Sequence, residues 1–116
     1  MSDEQSKQTE AVFSHHVQAL GEGLESVMSD YAENSVLYTP DGPKRGRGEI
    51  RAFFETFMAD TLPKLLKSFK LLRTDIDGEI LYVTWTAGEV APLGTDTFII
   101  REGKIQVQTF AAYIPG

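Results

Sequence analysis

Three side chains in this 116-residue chain stand where acid/base chemistry could be done. His16 lies within an apolar stripe formed by Val12, Phe13, Val17 and Leu20, at the spacing of one helical face. Asp96 shares strand parity with Phe98 and Ile100, which puts a carboxyl on the buried side of a sheet. A carboxyl there must be protonated, paired or bridged by water, because an unpaired buried charge costs several kcal/mol. Read for chemistry, His16 and Asp96 are an acid/base or oxyanion-binding pair facing one another across a cavity. Read for structure, each is a buried group with a satisfied hydrogen bond. Asp41 is the third, a carboxylate in the loop that by its sequence is the aspartate of an ordinary Pro-Asp-Gly turn.

Other residues supply walls rather than protons. Phe53, Phe54, Phe57 and Met58 recur on one face of a helix, and Phe98, Phe110 and Trp85 fall on strands. Tyr31, Tyr38 and Trp85 could turn polar tips toward a ligand or stand as core aromatics. His15 is rotated by about 100° from His16 and is expected in solvent, so the pair cannot share a metal from adjacent helical positions. No cluster of histidine and carboxylate has metal-ligand spacing, and no glycine loop follows a strand to cradle phosphate.

The elements that must position these groups follow from periodicity. Residues 1–5 are expected to fray. A first helix runs to Leu20 and is broken by Gly21 and Gly23, and a short one carries Leu24, Val27, Met28 and Tyr31. Ser35–Thr39 reads as a strand, Pro40 to Gly48 as a loop, and the helix from Ile50 is expected to end at Pro63. Four strands then form a meander turned by Asp75-Ile76-Asp77-Gly78, Pro92-Leu93-Gly94 and Glu102-Gly103. Helices first and strands last make an α+β domain, with a curved antiparallel sheet wrapped around the helices and enclosing a cone-shaped cavity. Val107, Ala111 and Tyr113 on the outer parity of the last strand suggest a homodimer through the sheet.

Composition bounds the rest. One domain accounts for the length. Hydrophobic residues at 41% and charged residues at 24% are those of a globular protein. A net charge of -6 argues against nucleic acid as a partner, and Lys44, Arg45 and Arg47 read as a solvated loop. There is no cysteine, so disulfide and thiolate chemistry are absent. Without an apolar leader or spanning run, no membrane is expected and the cytoplasm is the default location.

The order of elements, with Tyr31-Ala32-Glu33-Asn34-Ser35-Val36, Pro40-Asp41-Gly42, Gly46-Arg47-Gly48-Glu49-Ile50 and Gly103-Lys104-Ile105, resembles the nuclear transport factor 2-like superfamily. More narrowly it resembles the SnoaL-like and ketosteroid isomerase-like branch. The resemblance covers the whole chain and implies a small apolar, oxygen-bearing ligand in the cone, handled without a cofactor. In ketosteroid isomerase a helix-one tyrosine and a sheet carboxylic acid form an oxyanion hole while an aspartate shuttles the proton. Those positions fall here on His16, Asp96 and Thr39. Threonine cannot take up a proton as a carboxylate does, so steroid-type isomerisation is not expected and Asp41 becomes the displaced base. The functions that remain are an isomerase, cyclase or dehydratase type of enzyme and a non-catalytic binding or dimerisation module.

Overall fold

Alternating burial along the second half of the chain drives a meander of long strands, and the first half supplies the helices that cover it. The computed structural model describes residues 2–115. It contains α1 (Ser2–Ala19), α2 (Leu24–Met28), β1 (Tyr31–Thr39), β2 (Gly42–Arg45) and α3 (Gly46–Thr56). A π-helical turn (Phe57–Thr61) joins α3 to α4 (Leu62–Leu66). The strands β3 (Lys70–Asp77), β4 (Ile80–Ala87), β5 (Ala91–Arg101) and β6 (Lys104–Tyr113) follow. The sheet order is β2-β1-β6-β5-β4-β3. Every neighbouring pair is antiparallel except β1 and β6, which run parallel.

The β5–β6 hairpin needs two left-handed residues in succession, and Glu102 (φ 57°) and Gly103 (φ 75°) supply them. Register shifts at Leu71/Arg73, Trp85/Ala87 and Ile99/Ile100 bend the strands. The sheet curls without closing, and Leu81, Val83, Phe98 and Ile100 on its concave face pack with Phe13, Ile50 and Phe54 of the helices. Each such fully buried side chain contributes about 1.5–3 kcal/mol.

Several elements differ from the sequence reading. Residues 2–5 are helical and belong to α1, and Met1 lies outside the described residues. Gln5 Nε2 donates to the carbonyl of Ile100 at 3.1 Å, and Thr9 Oγ1 to that of Gly78 at 2.6 Å, so the first turns are fastened to the sheet. Tyr31 leaves the helical series and opens β1, because its pairing with Ile105 in β6 satisfies the backbone there. The Pro/Gly segment is largely a hairpin, with β2 paired to β1. Its basic cluster is not all solvated, since Arg47 donates to the carbonyls of Met28 (2.8 Å) and Tyr31 (2.6 Å) and staples α3 to the start of β1. Pro63 does not end the long helix. The backbone widens to π spacing, Leu62 N–H reaches the carbonyl of Phe57, and Pro63 falls in the first turn of α4, where its missing N–H has no bond to make. Asp75, Ile76 and Asp77 lie within β3, paired to β4, and Pro92, Leu93 and Gly94 lie within β5, rather than in turns.

Gly94 has a packing reason. A Cβ there would sit 2.2 Å from the indole of Trp85, its cross-strand partner, so only glycine lets the ring lie flat on β5. Gly94→Ala is expected to displace the indole and cost about 1–3 kcal/mol. Denaturant unfolding followed by Trp85 fluorescence checks both effects, and an unchanged emission maximum and midpoint would contradict this account.

Candidate functional site

The helices and the concave sheet enclose a cavity of about 110 Å³. Phe53, Phe54, Phe57, Trp85, Phe98 and Phe110 line it, as do His16, Asp96 and Gln108. Its polar groups therefore form a small minority in an aromatic wall.

Asp96 comes from β5, two residues beyond Gly94 and on the same face. Trp85 Nε1 donates to its Oδ1 at 2.9 Å, and Gln108 Nε2 donates to its Oδ2 at 2.8 Å. The Tyr31 hydroxyl in turn donates to Gln108 Oε1, completing a chain of donors from three strands that ends on one carboxyl. Burial pushes the Asp96 carboxyl up to about 7, and the two N–H donors only partly oppose it. Burial, with the negative charges of Asp96 and Asp30 behind it, pushes the Tyr31 phenol well above its usual range, so it remains a donor.

His16 comes from α1, and its ring packs edge-on to Tyr31 and Phe98 at 5.7 Å between centroids. Its Nδ1 lies 3.2 Å from Oδ2 of Asp30, and His15 Nδ1 lies 2.7 Å from Oδ1 of the same group. Asp30 is buried in the turn between α2 and β1, where its carbonyl also accepts from the N–H of Ile105 at 2.7 Å. The sequence reading missed Asp30. The signal was the adjacent histidine pair, one of them on the apolar face, which calls for a nearby acceptor.

His16 and Asp96 thus border one cavity without bonding to each other. Asp30 holds the first, while Trp85 and Gln108 hold the second. The other sequence-predicted residues divide. Phe53, Phe54, Phe57, Trp85, Phe98 and Phe110 are at the wall, and Tyr31 stands behind it as part of the donor chain. Tyr38 does not reach the cavity: it pairs with Thr109 on the outer face of the sheet and is 42% exposed. The alternation that buries Leu37 forces Tyr38 outward. Asp41 is also apart, exposed in an outer groove with Lys44, Glu49 and Thr61. Thr39 is engaged in the same hairpin turn, donating to the carbonyl of Gly42 at 2.8 Å and accepting from Asp41 N–H at 3.2 Å. Among the described residues, no group of histidines and carboxylates is arranged to hold a metal ion. Nor is any helix among them long and apolar enough to cross a membrane.

No protein-family model and no curated protein sequence matches the chain. Solved structures do. An NTF2-like protein of unknown function from Burkholderia xenovorans superposes with a TM-score of 0.75 at 16% identity, covering 97% of this chain and 88% of that one. An NTF2-like protein of unknown function from Mesorhizobium loti gives 0.74 at 17%, covering 94% and 93%. A de novo designed protein with a curved β-sheet gives 0.71 at 14%, covering 92% and 86%. The chain has the NTF2-like fold.

The buried carboxyl has a pH consequence. Between its ordinary value of 3.8 and about 7, folded Asp96 keeps a proton that the unfolded chain has released. Stability from this group is therefore present below that window and is lost as pH rises through it. Wild type should lose stability relative to Asp96→Asn between about pH 4 and pH 8. Urea unfolding of both proteins measures the difference, and parallel pH profiles would contradict a buried titrating carboxyl.

Proposed function

We propose that the cavity binds a single-ring, largely apolar molecule carrying an oxygen, and that His16 and Asp96 move its protons without a cofactor, as in the SnoaL-like and ketosteroid isomerase-like branch of this fold. One observation carries the reading: two titratable side chains from opposite layers open on the same aromatic cavity. The size of the ligand follows from volume. An apolar cavity of about 150 Å³ holds benzene, so about 110 Å³ is on the scale of one ring at most, reached by small shifts of the wall, and falls far short of a fused steroid. Aromatic walls favour a flat partner, through offset and edge-on packing. The reaction class supported is cofactor-free acid/base work, with His16 and Asp96 as the two proton-handling groups. It is a proton shift within the molecule for an isomerase, ring closure with proton transfer for a cyclase, or removal of a proton with loss of the hydroxyl as water for a dehydratase.

The second reading is a non-catalytic binding module of the same fold. It is favoured by the hairpin, where Thr39 replaces a base and Asp41 sits outside the cavity. The two readings share the ligand and part at turnover. Trp85 fluorescence with a series of one-, two- and four-ring alcohols separates size from chemistry. One-ring members are expected to shift Trp85 emission and raise the melting temperature, and four-ring members to do neither. Equal responses across the series would defeat the size argument. Turnover of a bound one-ring compound, lost in Asp96→Asn with binding retained, selects the enzyme.

We also propose that two copies pair through the outer face of the sheet. Ile80, Ile99, Val107 and Val36 form an apolar row in register across four strands, and Tyr82, Thr97, Thr109 and Tyr38 form the next. Over these four strands neither row contains a charge, and Ile80 is 49% exposed. Charges enter only at the margins, with Asp75 and Asp77 on β3 and Arg45 on β2. Sedimentation should give a dimer for wild type and a folded monomer for Tyr82→Lys, which puts a charge into the face. A monomeric wild type would overturn the pairing.

A further inference from the structure

The polar groups around the cavity are not balanced between donors and acceptors. The Tyr31 hydroxyl is spent on Gln108, and the indole N–H of Trp85 is spent on Asp96. Gln108 Nε2 is already directed at Asp96. What faces the empty space from the sheet side is therefore mainly the carboxyl on which these donors converge. At about pH 8 it is an acceptor, having lost the proton that burial retains up to about 7.

The helix side is set by Asp30. A carboxylate only accepts hydrogen bonds, so a nitrogen that meets it must carry the hydrogen. His15 Nδ1 meets Oδ1 at 2.7 Å and His16 Nδ1 meets Oδ2 at 3.2 Å, so both rings carry Nδ1–H. In neutral His16 the remaining lone pair is then on Nε2. Among the described residues Nε2 has no protein partner, yet no buried side-chain nitrogen or oxygen among them is left unsatisfied. Nε2 must therefore border open space. The ring is only 4% exposed and lines the cavity, so that space is the cavity.

We propose that Asp30, braced by His15, is a positioning residue that fixes His16 as a hydrogen-bond acceptor toward the cavity, so that the site selects ring compounds whose oxygen carries a hydrogen, phenols and enols, over ethers and ketones. The selection rests on the cavity reading above; the tautomer does not. It also alters the part that the resemblance implies for His16. An acceptor takes the proton of a ligand hydroxyl and does not donate to a ketone oxygen.

Nitrogen NMR of the two rings tests the tautomer with no ligand present. At about pH 8, where an ordinary histidine is neutral, His16 should show a protonated Nδ1 and a bare Nε2. A protonated Nε2 in wild type overturns the proposal at once. Asp30→Asn offers an amide that can donate to Nδ1 and should move the hydrogen to Nε2, whereas His15→Gln should leave His16 as it is. An unmoved tautomer in a folded Asp30→Asn protein overturns the role of Asp30. If that variant does not fold, the wild-type spectrum still decides.

Ligand selection is read with phenol and anisole, which share a ring and differ in the O–H. Phenol should bind about tenfold more tightly, the worth of one net hydrogen bond, and the ratio should fall to about one in Asp30→Asn. Equal affinities in wild type overturn the selection. If neither compound shifts Trp85 emission, the cavity reading itself fails and the selection fails with it, whatever the tautomer.

Discussion

A carboxyl group sits inside an aromatic cone, and the surrounding architecture has to keep it there. Left alone, Asp96 would carry a desolvation cost of several kcal/mol. Two N–H donors offset part of this, and each depends on something further away. Trp85 can reach Asp96 because Gly94 leaves the face of β5 bare under the indole. Gln108 can reach it because the Tyr31 hydroxyl occupies its amide oxygen and fixes which way the amide points. Tyr31 is in place because β1 runs parallel to β6 from that residue and Arg47 holds its carbonyl. Strand pairing, a bare glycine and a staple from α3 all converge on one acid.

A second buried acid does comparable work on the other side. Asp30 ties α1 to the turn before β1 by holding two histidines, and its own carbonyl is bonded to β6. The helical layer is thus registered on the sheet through polar contacts at the edge of the core. A cavity survives there because the residues that could fill it are spent elsewhere. Trp85 lies flat beside Phe110, and Tyr38 and Tyr82 point outward.

Much of this could be read from residue patterns. The parity of Asp96 with Phe98 and Ile100 placed its carboxyl on the concave face, and the stripe through Phe13 and His16 placed the imidazole on the buried face of α1. The order of elements was enough for the fold class. What escaped depended on contacts distant in sequence. Tyr31 continues the helical spacing of Leu24, Val27 and Met28, and only its pairing with Ile105 makes it a strand residue. With β1 started late, Asp30 looked like part of a polar turn and its histidine partners could not be seen. Tyr38 is legible by alternation from buried Leu37, which puts it on the outer face of β1. Pro63 reads as a helix terminator by a local rule, and a π turn absorbed the conflict. A designed protein with a curved β-sheet shares the fold at 14% identity, so the fold supplies a curved sheet without specifying what it holds. The chemistry proposed for this chain rests on side chains such as His16, Asp30 and Asp96, not on the fold.

The most direct measurement is a high-resolution crystal structure of the protein soaked with phenol. The account predicts a single ring packed among Phe54, Phe98 and Phe110, with its oxygen within hydrogen-bond distance of His16 Nε2 or the Asp96 carboxyl. A cavity filled by rearranged side chains, or a ring whose oxygen touches neither residue, would contradict it.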